Sequence, residues 1–444
     1  MSRIFGTDGV RGVANEFLTP ELAFALGRAG GFVLTQHGAR RPVLVGRDTR
    51  CSGPMLEEAL TAGLCSVGLD VWKLGVVPTP GVAFLTRHLE AAAGVMISAS
   101  HNPIEDNGIK FFASDGCKLA DALEDEIAAH VDAHDKLPRP KGASVGTVFD
   151  RRRSIAAYAR HCVGLGSSLA GRTVVVDGAY GAAYDIGPKV FALLGATVVK
   201  VHCRHDGRRI NVKCGATDLS SLRATVRKNP GSAGVAFDGD ADRALFVDEN
   251  GRDVTGDHVL AIWAKALLNA GELTNATVVA TVMSNLGLEL AMRDMGVTML
   301  RTSVGDRYVL EEMQRGGHRL GGEQSGHIID LASNTTGDGI ATAVRVFSLI
   351  GAGNTLASLA SVMTVFPQIL VNVRVRDKRC LEADDRVKQA VARVEATLAG
   401  RGRLLVRPSG TEPLVRIMIE GDDEAELKSL AAGIAASIQD SQSA

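Results

Sequence analysis

Short apolar runs and amphipathic segments alternate along the chain in a pattern that occurs three times. Each copy has a β-branched strand, a helical stretch of roughly three turns, a glycine at the expected helix end and a second strand. The three copies are predicted at 41–48, 55–66 and 71–74; at 173–178, 182–194 and 197–201; and at 277–281, 286–295 and 297–300. This order of elements predicts β-α-β units. Because ~100 residues separate the copies, each unit is expected to belong to its own domain.

The C-terminal part of the chain follows a different pattern, which predicts a small α+β domain. Its predicted elements are a strand at 368–375, a helix at 384–398, strands at 403–406 and 414–420, and a helix from 424 to about 438. We therefore predict an α/β fold with three similar mixed-sheet α/β domains and a smaller C-terminal α+β domain around a central cleft, where ligands usually bind. The predicted domains are residues 1–153, 154–255, 256–367 and 368–444.

Composition narrows the class of protein. The 444 residues are 45% hydrophobic and carry a formal net charge of −1. With no long basic run, nucleic acid and anionic membrane surfaces are not expected partners. The apolar runs stay below the ~18 residues of a membrane helix, and the N-terminus lacks the apolar stretch of a signal peptide. Seven cysteines without a C-x-x-C pair indicate reduced thiols in the cytoplasm, and neither a disulfide framework nor a zinc site.

The stretch "GVMISASHNP" at 94–103 is an apolar strand that ends in two serines, a histidine and an asparagine. Asn-Pro explains a turn, but it does not explain two hydroxyls and an imidazole. One interpretation is a polar turn with a satisfied histidine. The other is a nucleophile at the end of a sheet strand. These residues alone do not decide between the two interpretations.

The stretch "FDGDADR" at 237–243 also follows an apolar run. Carboxylates at Asp238, Asp240 and Asp242 can converge on one hard cation such as Mg²⁺ or Ca²⁺. The alternative is a solvated acidic turn. An EF-hand is disfavoured, because Arg243 stands where its loop needs glycine and because 244–247 has the pattern of a strand.

Four further stretches carry polar chemistry. "RPSGTEP" at 407–413 combines arginine, two hydroxyls and a glycine, as an anion site does, although a hairpin loop is the alternative. "GEQSGH" at 322–327 offers donors and acceptors suited to sugar hydroxyls, or it is simply a polar loop. Arg11 in "GTDGVRG" is a candidate for a phosphate contact, and Lys110 in "NGIK" is a candidate proton acceptor or charge stabiliser. The alternative is that both are ordinary solvated side chains. Together, a nucleophile, a metal site and cationic groups are what phosphoryl transfer requires.

The motifs "SASHNP", "DGDADR", "GEQSGH" and "RPSGTEP" occur in an order that resembles the α-D-phosphohexomutases over the full length of the chain. The glutamine of "GEQSGH" and the start "FGTDGVRG" are most similar to the bacterial phosphoglucosamine mutases. The resemblance implies that Ser100, rather than Ser98, carries a phosphoryl group. The catalytic residues that it implies are Ser100, His101, Lys110 and Arg11, and the metal ligands are Ser100, Asp238, Asp240 and Asp242. It further implies substrate contacts from Glu323, Ser325, His327 and Arg243, and a phosphate site formed by Arg407, Ser409, Gly410, Thr411 and Arg416.

The resemblance also implies a reaction. The family interconverts glucosamine 6-phosphate and glucosamine 1-phosphate through a phosphoserine and a 1,6-bisphosphate, which serves as intermediate and activator, with one Mg²⁺ per chain. The product feeds UDP-N-acetylglucosamine and cell-wall synthesis, and the expected assembly is a homodimer in the cytoplasm. The related activity on mannose and glucose phosphates remains an alternative. Two further alternatives are a phosphatase of the haloacid-dehalogenase type, with Asp238 or Asp240 as nucleophile, and a sugar-phosphate sensor without catalysis.

Overall fold

The computed structural model describes residues 4–6, 8–351, 353–377, 380–409 and 413–442. The chain divides into two compact units. The larger unit is Met1–Val282 with Thr298–Ser361, and the smaller unit is Met283–Val297 with Val362–Ala444.

The first part of the larger unit is a mixed sheet with strand order β1-β5-β4-β2-β3-β6. Its elements are β1 (Val10–Val13), α1 (Pro20–Gln36), β2 (Val43–Arg47), α2 (Gly53–Cys65), β3 (Val71–Val76), α3 (Thr79–His88), β4 (Ala93–Ile97), β5 (Asp106–Ala113), α4 (Asp121–Val131) and β6 (Val148–Asp150). Strand β2 runs parallel to β3 and β4, whereas β5 is antiparallel to β1 and β4. Strand β4 is buried along its whole length, as its continuous apolar sequence predicts for a central strand covered on both faces.

The next sheet has the order β11-β10-β9-β7-β8. Its elements are α5 (Ile155–Gly164), β7 (Thr173–Asp177), α6 (Ile186–Leu193), β8 (Thr197–Val201), α7 (Ser220–Lys228), β9 (Ala233–Phe237), β10 (Ala244–Val247) and β11 (Asp253–Val254). Strand β7 is parallel to β8 and β9, and β10 is antiparallel to β9. The strand predicted after "DGDADR" is therefore present. Helix α6 begins later than predicted because 178–185 forms turns, in which Ala179 has φ 52° and Tyr180 has φ 53°.

A third sheet has the order β13-β12-β14-β15, with β12 parallel to β13 and β14, and β15 antiparallel to β14. The elements of this stretch are α8 (Gly256–Asn269), β12 (Thr277–Thr281), α9 (Leu286–Asp294), β13 (Thr298–Thr302), α10 (Asp306–Gly316), β14 (Leu320–Gly322), β15 (Ile328–Asp330), α11 (Gly339–Leu349) and α12 (Leu356–Ala360). Helix α9 lies within the smaller unit, although it connects two strands of the larger one.

The smaller unit contains an antiparallel sheet of order β16-β18-β17. Its further elements are β16 (Gln368–Arg374), α13 (Cys380–Ala383), α14 (Asp385–Leu398), β17 (Arg403–Pro408), β18 (Leu414–Glu420) and α15 (Glu424–Ser441). Asn285 caps α9 by accepting from Gly287 N, and its side-chain amide donates to the carbonyl of Phe366 at 2.9 Å. Three mixed α/β sheets and one small antiparallel sheet confirm the predicted fold class.

The predicted parallel pairs and glycine helix ends are also present. The three pairs are β2 with β3, β7 with β8 and β12 with β13. The glycine before each second strand has a left-handed backbone, with φ 94° at Gly68, 90° at Gly195 and 71° at Gly296. Because glycine has no Cβ, it adopts this conformation at a helix end without strain.

Candidate active site

The hydroxyl of Ser100 faces the aspartate loop. Ser100 follows strand β4, is only 2% exposed and has a left-handed backbone with φ 51°. Its Oγ donates a hydrogen bond to Asp238 Oδ2 at 2.6 Å and lies 3.3 Å from Nδ1 of His101. The structure therefore brings together residues that are 138 positions apart in the sequence.

The three aspartates form one buried cluster. They follow the buried strand β9, and each offers a carboxylate oxygen, these oxygens lying within 4.8 Å of one another. The turn that holds them has Ala241 in the left-handed region, at φ 58°. Gly339 N donates to Ala241 O at 3.0 Å, and Ala182 N donates to Gly239 O at 2.8 Å. Backbone from two further segments of the larger unit thus fixes the loop.

Burial and mutual repulsion set the charge state of this cluster. Burial, followed by repulsion from Asp242 and Asp240, raises the pKa of Asp238 well above its usual range. Burial and the charge of Asp242 raise the pKa of Asp240 to about 6. For Asp242 burial acts in the same direction, but the nearby His327 and Arg243 lower the pKa below its ordinary value. A bound cation would reverse the repulsion and favour three ionised carboxylates.

The donor set fits a divalent cation. Oδ1 of Asp240 and Oδ1 of Asp242 are buried and have no hydrogen-bond partner among the described residues. A buried carboxylate oxygen without a partner is unfavourable unless a cation or water meets it. Hard carboxylate oxygens are the ligands that Mg²⁺ and Ca²⁺ prefer.

Lys110 is held by two acidic residues beside this cluster. It lies on β5, is 7% exposed, and its Nζ is 3.1 Å from Asp8 Oδ1 and 3.7 Å from Asp306 Oδ2. Burial alone would lower the pKa of Lys110, but these two carboxylates raise it above its usual range. Conversely, Lys110 and Arg11 hold the pKa of Asp8 far below its usual range. The direction of the pKa shift therefore favours the protonated form of Lys110, which carries a positive charge beside the aspartate cluster.

Arg11 and His101 border the same region. Arg11 lies on β1, with its guanidinium 3.4 Å from Asp8 Oδ2. His101 is exposed at the mouth of the loop. Partial burial and the positive charge of Arg243 lower the pKa of His101 to about 4. The imidazole is therefore neutral near pH 7 and can accept a proton.

His327 contacts one of the candidate metal ligands. Its Nδ1 lies 3.3 Å from Asp242 Oδ2, and Gly337 N donates to its Nε2 at 3.1 Å. Although burial acts against protonation, Asp242 raises the pKa of His327 to about 9. The ring donates from Nδ1 to Asp242, and the Gly337 N–H faces Nε2.

The "GEQSGH" stretch is the turn between β14 and β15. Glu323 N donates to His327 O at 2.9 Å, which closes the turn. The Glu323 carboxylate accepts from Gly305 N at 3.0 Å and from Ser325 Oγ at 3.1 Å. Arg243 forms an isolated β-bridge with His327, which joins this turn to the aspartate loop. The candidate sugar contacts and the candidate metal ligands are therefore adjacent.

A cavity of about 220 Å³ opens beside this group and is lined in part by Lys110, Asp306 and His327. That volume corresponds to several water molecules at ~30 Å³ each. The space next to Lys110 is consequently available to a small polar ligand.

The predicted phosphate site lies in the smaller unit. Arg407 on β17 is paired directly with Arg416 on β18, and Ser409 N donates to Leu414 O at 2.8 Å. This pairing places two positive charges on one face of the sheet, which is the chemistry that an anion site uses. Two further residues predicted for the site, Gly410 and Thr411, lie outside the described residues.

Sequence reasoning missed several residues that shape the site. Thr79 Oγ1 donates to Asp240 Oδ2 at 2.5 Å, and Thr79 N donates to Asp240 O at 2.9 Å. Asp8 and Asp306 are the partners of Lys110. One signal could have indicated Thr79: it is a polar residue just beyond the carboxyl end of β3, the sheet edge at which α/β proteins place their sites. Asp8 lies in "GTDGVRG", a stretch in which only Arg11 was predicted to act, and Asp306 carries no such local signal.

Comparison with sequence models of known protein families shows to which family the chain belongs. Sequence models of phosphoglucomutase/phosphomannomutase match the chain in order: α/β/α domain I at 2–138, domain II at 156–251, domain III at 255–366 and the C-terminal domain at 370–437. The chain belongs to the phosphoglucomutase/phosphomannomutase family.

Curated relatives within this family cover almost the whole chain. The phosphoglucosamine mutase of Symbiobacterium thermophilum is 54% identical over 98% of this chain and 98% of its own length. The phosphoglucosamine mutase of Thermoanaerobacter sp. (strain X514) is 50% identical over 99% of both chains.

Solved structures of phosphoglucomutase/phosphomannomutase proteins share the fold. A family protein from Burkholderia thailandensis superposes with a TM-score of 0.83 at 22% identity, covering 99% of this chain and 98% of the other. A protein from Thermus thermophilus described as a putative phosphomannomutase gives a TM-score of 0.77 at 26% identity, with 98% of both chains covered. None of the helices in the described part of the chain has the length and apolarity needed to cross a bilayer.

Proposed function

We propose that this chain is an isomerase that interconverts glucosamine 6-phosphate and glucosamine 1-phosphate. The full-length relatives support the choice of sugar, because phosphoglucosamine mutases at 52–54% identity span nearly the whole chain. The observation that carries the chemistry is the buried Ser100 hydroxyl 2.6 Å from Asp238, in a loop whose further carboxylates converge. A phosphatase with an aspartate nucleophile would leave this serine without a role.

The reaction starts from a phosphorylated serine. O1 of glucosamine 6-phosphate attacks the phosphorus on Ser100, the bond from phosphorus to Oγ breaks, and glucosamine 1,6-bisphosphate forms. The bisphosphate then turns within the site, so that its 6-phosphate faces Ser100. Oγ attacks this phosphorus, the bond to O6 breaks, and glucosamine 1-phosphate leaves while the phosphoserine is restored. Each half-reaction moves one phosphoryl group, so the enzyme ends as it began.

Side chains around Ser100 provide charge and a place for the proton. Lys110 and Arg11 offer fixed positive charge to the transferring phosphoryl group, because Lys110 retains its proton. His101 is neutral near pH 7 and lies 3.3 Å from Ser100 Oγ. It is therefore placed to take up the proton that the attacking hydroxyl releases and to return it to the oxygen that leaves phosphorus, Ser100 Oγ in the first half-reaction and O6 in the second.

We propose that Asp238, Asp240 and Asp242, with a phosphoryl oxygen on Ser100, hold one Mg²⁺. When bound, the ion withdraws charge from the phosphoryl oxygens and thereby stabilises the transition state. The buried carboxylate oxygens without hydrogen-bond partners in the described structure support the site. The chain's own contribution is to place Ser100 Oγ against Asp238 and to orient Asp242 through His327.

Substrate recognition is proposed for two loops. Glu323 and Ser325 bind sugar hydroxyls, with Arg243 and His327 beside them. In the smaller unit Arg407, Ser409, Gly410, Thr411 and Arg416 bind the phosphate that is not reacting. The opposed pair Arg407 and Arg416 supports an anion site there. Because either end of the sugar must be accepted, the clamp has to recognise phosphate rather than the sugar itself.

The remaining proposals concern organisation and location. We propose four domains at 1–153, 154–255, 256–367 and 368–444, a homodimer, and a cytoplasmic enzyme that supplies amino-sugar phosphate for cell-wall precursors. The seven cysteines are free thiols, which supports a reducing compartment.

A turnover panel tests the function. With Mg²⁺ and a trace of the matching hexose 1,6-bisphosphate, kcat/KM is compared for glucosamine, glucose and mannose phosphates. We expect a clear preference for glucosamine phosphate, and loss of turnover together with loss of covalent phosphate in Ser100→Ala. A preference for glucose or mannose phosphate would indicate phosphoglucomutase or phosphomannomutase activity and would refute the proposed substrate. Unchanged turnover by Ser100→Ala would refute the mechanism.

A further inference from the structure

The loop that carries Ser100 is held by a second set of side chains, which the reaction steps do not use. Arg50 is fully buried, and its guanidinium donates to the carbonyl oxygens of Ser100 at 3.0 Å and Asn102 at 2.8 Å. It also donates to the carbonyls of Pro103 and Asp106. One guanidinium therefore contacts four backbone oxygens on one short loop.

The same network reaches the other side of Ser100. Asp48 accepts from Arg50 Nε at 3.0 Å and from Ser98 Oγ at 2.6 Å. Ser98 Oγ in turn accepts from Ser100 N at 2.9 Å. Both the N–H and the carbonyl of Ser100 are consequently fixed by side chains that meet at Asp48. The two serines of the loop thus have different roles, since Ser98 supports the backbone and Ser100 presents the hydroxyl.

The backbone of Ser100 needs such support. Its φ of 51° lies in the left-handed region, which residues with a Cβ rarely adopt. This conformation persists only where the surroundings enforce it. Asn211 Nδ2 also donates to Ser100 O, at 2.8 Å, and a Cβ at Gly239 would lie only 2.4 Å from that oxygen. The carbonyl is thus enclosed, and because the N–H is held as well, the direction of the Cα–Cβ bond that carries Oγ is fixed.

We infer that Arg50, together with Asp48 and Ser98, is a positioning residue that fixes the left-handed backbone of Ser100 and thereby directs Oγ at Asp238. This inference rests on the proposed function, because it assigns a role in presenting the serine that carries the phosphoryl group. The positioning role of Arg50 depends on its planar guanidinium. Five donors in one rigid fork can satisfy several carbonyls and a carboxylate together, whereas the three donors of a lysine ammonium on a flexible stem cannot.

A pair of matched substitutions tests the inference. Arg28 is likewise fully buried, and its guanidinium donates to the carbonyls of Leu137 at 3.0 Å and His134 at 3.1 Å. Arg28→Lys therefore makes the same change at an equally buried position that holds a different segment. For both variants and the parent chain, kcat and KM for glucosamine 6-phosphate, the melting temperature, and the single-turnover rate of phosphoryl transfer from Ser100 are measured.

We expect Arg50→Lys to lower kcat and the single-turnover rate by ~10- to 100-fold, the loss typical of a reacting group misplaced by about 1 Å. KM should stay within about twofold, since no substrate contact is removed. Arg28→Lys should lower the melting temperature without this loss of kcat. Equal losses of kcat in both variants, or full kcat in Arg50→Lys, would overturn the inference.

A milder variant covers the case in which Arg50→Lys does not fold. Ser98→Ala removes only the hydroxyl between Asp48 and Ser100 N, and we expect it to lower kcat at unchanged KM; unchanged kcat would overturn the inference. Turnover of glucosamine phosphate by the parent chain distinguishes a failure of this inference from a failure of the proposed function. Absence of glucosamine phosphate turnover by the parent refutes that function, whereas an active parent with a fully active Ser98→Ala refutes only the positioning role.

Discussion

The hydroxyl of Thr79 provides a test of the proposed metal site without altering any proposed ligand. Thr79 is 1% exposed, and its Oγ1 donates to Asp240 Oδ2 at 2.5 Å. In Thr79→Val the shape is nearly kept, but this oxygen of Asp240 loses its donor in a buried setting. A hydrogen bond to a charged group contributes ~1.5–3 kcal/mol, which is roughly 10- to 150-fold in a binding constant. Loss of an outer partner of a metal ligand typically weakens metal binding by ~10- to 100-fold.

We therefore expect Thr79→Val to weaken Mg²⁺ binding by ~10- to 100-fold and to leave kcat at saturating Mg²⁺ within about threefold of the parent. Calorimetric titration of metal-free protein and the Mg²⁺ dependence of turnover measure the two effects separately. Thr86→Val is the matched control, since Thr86 is equally buried on the same helix, α3, but its Oγ1 donates to Val82 O at 2.8 Å. A Mg²⁺ affinity of Thr79→Val within twofold of the control would show that Asp240 does not need this support, and the proposed metal geometry would then be wrong.

Three further predictions concern metal binding, the ring of His327 and the thiols of Cys203 and Cys214. Mg²⁺ at ~100 times its dissociation constant should raise the free energy of unfolding by ~2.7 kcal/mol relative to protein in EDTA, and identical melting curves would contradict metal binding by the folded state. Gly337→Ala should reduce kcat ~10-fold or more, because a Cβ there would lie 2.4 Å from the His327 ring; Gly433→Ala, which meets no atom within 4 Å, is the control and should retain full kcat. Burial raises the pKa of Cys203 and of Cys214 from 9.0 to about 12. Unfolded thiols therefore lose protons that the folded chain keeps, so stability should fall as pH rises from 9 towards 12, and urea titrations should show a smaller fall in the Cys203→Ala and Cys214→Ala variants.

The sequence predicted those parts of the fold that depend on local patterning. Strands β7, β12 and β18 have the predicted bounds to within a residue, because each is an uninterrupted β-branched or alternating run between turn residues. The start of α6 was wrong for a physical reason. Residues 182–185 were predicted as the first turn of this helix, but Ala182 N donates to Gly239 O in the aspartate loop. A contact over that sequence distance overrides local propensity, and no periodicity records it.

The sequence also predicted which residues of the candidate site follow strands, but it did not predict their contacts with distant residues. Ser100 and the three aspartates stand directly after buried strands, where the carboxyl ends of strands place polar side chains at one edge of a sheet. That Ser98 would support the backbone while Ser100 presented the hydroxyl could not be read from "SAS", because the difference arises from Asp48 and a left-handed φ. The retained proton of Lys110 likewise depends on Asp8 and Asp306, which approach it only in the folded chain.

The charges of the aspartate cluster indicate why its occupant should be divalent. The ligand oxygens of the three carboxylates lie within 4.8 Å of one another. A divalent cation offsets their mutual repulsion with twice the charge of a monovalent one. The pKa directions reflect burial and the same repulsion, since the pKa is raised at Asp238 and Asp240 but lowered at Asp242. The raised pKa values show that the ionised forms of Asp238 and Asp240 are destabilised without a compensating cation. Asp242 is different, because the adjacent His327 stabilises its ionised form. Asp242 therefore provides a charged ligand, whereas cation binding competes with protons at Asp238 and Asp240.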